Sequence, residues 1–173
     1  LTCEDLAVYL VNPFAPPRPG FEHTNLLIIE NLLGGDIANG SIEFTLDENL
    51  EINSTSLSNP NMSITTTATG FMLDFVDFTA GSSETIEITL QTPVTVALDE
   101  IVTNSASYIT DTNDTVANNN TSTLTEVVVG SYDPNDKMEA HGPEIVYDEF
   151  VTSDQWLYYT IRFQNLGTAE AVL

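Results

Sequence analysis

Oxygen donors gather in two places late in the chain. The stretch TDTNDTVANNN (110–120) puts Asp111, Asn113 and Asp114 within four residues, and YDPNDK (132–137) does the same with Asp133, Asn135 and Asp136. Carboxylate and amide oxygens at this density suit a hard divalent cation, so calcium is the candidate cofactor, although nothing in the sequence requires one. The first run is not an EF-hand: Val116 stands where that loop needs glycine, and no glutamate follows at the twelfth position. Both runs also fit plain turns, in which short polar side chains bond nearby backbone.

Other chemistry finds less support. His23 and His141 lie far apart, and neither sits in a metalloprotease or nucleophile-elbow pattern. Acid pairs such as Asp47/Glu48 and Asp148/Glu149 could in principle serve glycoside hydrolysis, but a chain with 26 acids produces such pairs without any catalytic role. We therefore assign no catalytic residue and expect no enzyme. Six N-x-Ser/Thr sequons occur, at Asn39, Asn53, Asn61, Asn113, Asn119 and Asn120, in a sequence rich enough in Asn, Ser and Thr to generate them by chance. The aromatic set Trp156, Tyr158, Tyr159 and Phe163 could stack on sugars or seat a partner strand. The plainer expectation is that it forms the inner face of a second β module. Trp156, Tyr158 and Phe163 are the candidate partner-binding residues, through strand complementation or contact with a neighbouring module.

The charge limits the partners. Three cations, Arg18, Lys137 and Arg162, face 26 acids, for a net charge of −23. Such a chain cannot replace the counterions of nucleic acid phosphates, and an anionic membrane surface repels it. Self-repulsion keeps it soluble and is relieved by salt. No apolar run is long enough to insert into a membrane. Cys3 is the single cysteine, so an internal disulfide is impossible.

The elements that would position these residues read as strands. DLAVYLV (5–11) alternates, and TNLLIIEN (24–31) is an apolar run of strand length. SIEFTL (41–46) points Ile42, Phe44 and Leu46 one way, and FMLDFVDF (71–78) does the same with Phe71, Leu73 and Phe75. ETIEITLQ (84–91), EIVTNSASYIT (100–110) and TSTLTEVVVG (121–130) continue the pattern, while LGGDIANG (33–40) reads as turn. No long window carries a helical stripe. The expected fold is all-β: an immunoglobulin-like Greek-key sandwich over 1–129, a linker over 130–143 around GSYDPNDK, and the first strands of an incomplete second β module over 144–173.

Several passages together carry a resemblance: DLAVYL, TLDENLEI, TNSASYITDTNDTVANNNTSTLTEVVVGSYDPNDK and LYYTIRFQNLGTAEA. They resemble the immunoglobulin-like conserved-repeat modules, domains of unknown function, of long bacterial surface and secreted proteins exported by the type IX secretion pathway. The resemblance implies an extracellular or cell-surface location, tandem architecture, and a stalk or adhesive role without catalytic residues. Its partners would be adjacent modules, copies of the same chain or cell-surface glycans. Two other functions fit the same residues. One is a filament subunit assembled by strand complementation through the C-terminal strands; the other is a carbohydrate-binding module using Trp156 or Tyr108.

Overall fold

The computed structural model describes residues 4–110, 114–130, 136–139 and 156–162. The chain divides into two compact units, Leu1–Val128 and Val129–Leu173.

The first unit is an all-β sandwich of two antiparallel sheets. In chain order its strands are β1 (Asp5–Val11), β2 (Glu22–Leu33), β3 (Ile37–Thr45), β4 (Glu51–Ser56), β5 (Met62–Thr67), β6 (Gly70–Phe78), β7 (Ser83–Gln91), β8 (Ile101–Tyr108) and β9 (Thr121–Val127). One sheet has the order β1-β2-β7-β4 and the other β5-β6-β3-β8-β9, the non-sequential order of an immunoglobulin-like Greek key.

Period-two patterning builds the core between the sheets. From one sheet Leu6, Val8 and Leu10 of β1, Leu27 and Ile29 of β2, and Ile86, Ile88 and Leu90 of β7 point inward and are buried. They meet Ile42 and Phe44 of β3 and Phe71, Leu73 and Phe75 of β6 from the other. The Phe44 and Phe71 rings stack at 4.8 Å between centroids, and Phe75 lies 6.2 Å from Tyr108.

Two local expectations change. The glycine-rich stretch expected as turn over 33–40 is already strand from Ile37, with Gly40 buried in β3 opposite Phe75. A Cβ at Gly40 would lie 2.8 Å from Phe75 Cε1 and 2.9 Å from Tyr108 Cε2. The glycine is there to seat two rings, and strand pairing overrides its turn preference. The segment expected as linker over 130–143 contains β10 (Asp136–Glu139), paired antiparallel with β11 (Tyr159–Arg162) in the second unit. Proline and glycine stop short of Asp136, so a distant partner strand can take up the backbone that follows. β11 begins at Tyr159, so Trp156–Tyr158 precede the strand.

Candidate functional site

Of the six candidate calcium ligands, Asp114 is the one whose side chain is described. Asp111, Asn113, Asp133 and Asn135 lie outside the described residues, and for Asp136 only its place in β10 is known. Asp114 acts as a clasp. Its Oδ2 accepts the Leu6 amide at 2.9 Å and its Oδ1 accepts the Val116 amide at 2.7 Å. With its amide nitrogen turned toward these oxygens, Asn120 also donates to Asp114 Oδ2 at 3.2 Å.

The clasp belongs to a longer seam. Thr115 N donates to Glu4 O at 3.0 Å, Asn119 Nδ2 to Asp5 Oδ1 at 2.8 Å, and Leu10 N to Ser122 Oγ at 2.9 Å. An edge strand leaves backbone amides without a ladder partner. Here side chains from the 114–122 segment satisfy the β1 amides of Leu6 and Leu10, which binds β1 to the start of β9 across the two sheets. Among the described residues no group of three or more His, Cys, Asp or Glu side chains is arranged to hold a metal ion.

A second polar assembly was not expected from the sequence. Glu126 Oε1 accepts Asn12 Nδ2 at 2.6 Å, and its Oε2 accepts Asn25 Nδ2 at 3.1 Å. Asn25 Oδ1 accepts Asn104 Nδ2 at 2.9 Å, and Asn104 Oδ1 accepts the Asp47 amide at 2.9 Å. Asp47 closes the chain by accepting the Thr103 amide at 2.7 Å and the Asn49 amide at 2.9 Å. Asn25 and Asn104 are 0% and 1% exposed and belong to opposite sheets, so their bond crosses the core. Asp47, one member of a candidate acid pair, is thereby used for fastening. The one sequence signal for the bridge is phase: Asn25 shares the inward register of β2 with Leu27 and Ile29.

His23 lies two residues earlier on the same inward face and is 5% exposed. Neither ring nitrogen has a hydrogen-bond partner among the described residues, nor does Oγ1 of buried Thr92. Burial pushes the imidazole below its ordinary pKa, while the nearby Glu126 carboxylate pulls the other way without cancelling the effect. His141, Asp148 and Glu149 lie outside the described residues.

In the second unit Trp156, Tyr158, Tyr159 and Ile161 are all half or more exposed, and Phe163 lies outside the described residues. The structure therefore places Trp156 and Tyr158 on a surface. They and Asp114 are in separate units.

Residues 133–173 match a family described as a domain of unknown function (DUF7619). No curated protein matches the chain. Among solved structures the chain is similar to the third cohesin ScaC of Acetivibrio cellulolyticus, solved with the ScaB dockerin, at 14% identity and a TM-score of 0.54 over 71% of this chain and 99% of that one. The sixth cohesin of scaffoldin B from the same organism, in complex with a Cel5 dockerin, is similar at 14% identity and a TM-score of 0.50 over 60% and 82%. A CARDB domain from Pyrococcus furiosus, solved with di-metal ions, gives 14% identity and 0.50 over 74% and 96%. At these identities the likeness is one of fold: an immunoglobulin-like β-sandwich.

Proposed function

We propose that the chain is a non-enzymatic structural and interaction module of an extracellular bacterial surface protein, acting as a stalk or spacer unit. The observation that carries this reading is the use made of the carboxylates in the two polar assemblies of the sandwich. Asp114 and Asp47 accept backbone amides, and Glu126 accepts the amides of Asn12 and Asn25. Such groups hold strands and sheets together.

Two further points support it. A net charge of −23 keeps neighbouring modules from collapsing onto one another, which suits a spacer in a salty medium. Domains of similar fold include cohesins solved with their dockerins, so a sandwich of this shape can serve as a platform for another protein. Type IX export and a cell-surface address belong to the same reading. They rest on the passages from SYDPNDK to FQNLGTA, inside which the match to the domain of unknown function begins.

The test is a substitution series at Asp114 and Asp47, read by calorimetry and amide exchange. Asp114→Asn should lower Tm and release the Leu6 amide; Asp47→Asn should do the same for Thr103. A variant that keeps its Tm but loses a hydrolytic activity present in the parent would put these carboxylates to chemical use and overturn the proposal.

A further inference from the structure

The two long sides of the sandwich are finished differently. On one side β1 is sealed by the Asp114 and Ser122 clasps. On the other, β4 and β5 are the outermost strands of opposite sheets, and the space between them is open. Two adjoining cavities of about 460 and 250 Å³ occupy it, sharing Ile52, Thr66 and Gly70 in their walls. Their floor is the core itself: Leu50 and Phe71 are buried there, and Ile52 and Ile64 pack partly buried against it.

The strands on either side are unequal as docking edges. β4 is interrupted by a register shift between Ile52 and Ser54. β5 reads MSITTT and pairs without a shift with β6. It carries neither charge nor proline, the usual devices that keep a sheet edge from accepting another strand. A regular, uncharged, β-branched edge beside an apolar cleft is the geometry of strand addition, in which main-chain bonds give affinity and alternate side chains enter pockets.

Charge selects the occupant. Exposed Glu48 and Glu51 stand at the mouth of the larger cavity. Residues 1–128 contain one cation, Arg18, and its guanidinium lies over the Phe21 ring at 5.1 Å. A second copy of this chain would bring a further −23 charges to an acidic rim. We propose that the β4–β5 groove receives an extended segment of a different protein, which adds to β5, seats one large apolar side chain between the two strands and sets Lys or Arg against Glu48 and Glu51. This deepens the interaction role proposed above and rests on it.

The experiment uses the full chain and two fluorescein-labelled peptides of alternating Val and Thr with a central Phe, one flanked by Lys and the other by Glu. Anisotropy at low salt should show binding of the Lys form alone, weakened about tenfold or more at high salt as exposed charges are screened. Glu48→Gln with Glu51→Gln should weaken it severalfold, and Thr66→Trp, which fills the groove, should abolish it. Ser54→Trp blocks the same groove from the β4 side if the Thr66 variant misfolds. Bound peptide should slow amide exchange in β5. Failure of the Lys peptide to bind, equal binding of both peptides, or binding indifferent to both groove-filling variants would overturn the proposal, the last by showing adsorption to the acidic surface at large. Dimers of the full chain at low salt that Thr66→Trp disperses would also overturn it, by making a second copy the occupant. None of these failures touches the Tm loss expected at Asp114 and Asp47, so the spacer reading is judged separately.

Discussion

The bond between Asn25 and Asn104 makes a quantitative prediction. Asn104→Ala removes the donor to Asn25 Oδ1 and the acceptor of the Asp47 amide, both at 2.9 Å. Asn25 is 0% exposed, so water cannot replace the lost donor. An orphaned buried acceptor costs about 1–3 kcal/mol, and the less buried Asp47 amide adds roughly 1 kcal/mol, for a total of about 2–4 kcal/mol. A domain of this size loses about 3–6 °C of Tm per kcal/mol, so the variant should melt about 6–24 °C below the parent. Asn25→Ala should cost less on its far side, because Glu126 is only partly buried and can turn to solvent. The two substitutions should then be non-additive, the double variant being about 1–2 kcal/mol more stable than the sum of the singles. Urea unfolding of the four proteins measures this directly. A loss below about 0.5 kcal/mol for Asn104→Ala, or strict additivity, would show that the bridge contributes nothing across the core and refute the reasoning.

Other consequences can be checked separately. Gly40→Ala should destabilise by about 1–3 kcal/mol, because its methyl group must displace the Phe75 and Tyr108 rings; an unchanged denaturation midpoint would mean that the rings move freely. His23 has a folded-state pKa below its unfolded value, so the unfolded chain takes up the proton first and His23 costs stability as pH falls below about 6.5. The Tm of His23→Leu relative to the parent should accordingly rise between neutral and mildly acidic pH, and a pH-independent difference would contradict this. The Tm loss from Asp114→Asn should be the same with calcium or chelator present, since the lost contacts are backbone amides; a chelator that erased the difference would show that the loss depends on bound metal. Raising salt should raise Tm through screening of the −23 charge, and calorimetry over a salt series reads this directly.

The sandwich was legible where side chains alternate without interruption. Phe71, Leu73 and Phe75, or Ile86, Ile88 and Leu90, announce both strand and buried face, and each set is buried as its spacing demands. Gly40 was not legible, because glycine as turn former and glycine as seat for a ring look the same until Phe75 and Tyr108 are brought opposite it. Asp114 stood out as a dense oxygen donor, but its acceptance of the Leu6 amide joins residues 108 apart in sequence, which no local pattern encodes. The Asn25–Asn104 bridge is hidden for the same reason. An asparagine in the inward phase of a strand looks like a flaw until the facing sheet supplies its partner.

The seam between β1 and β9 has one more consequence. Leu6 meets Asp114, Leu10 meets Ser122 and Asn12 meets Glu126, so the two segments run side by side in the same direction. The chain enters the sandwich at the start of β1 and leaves at the far end of β9. Tension applied through its two ends would slide one segment along the other and stretch every clasp at once, as in a glued lap joint, instead of peeling them apart singly. A sandwich laced in this way resists traction with all of its stitches together.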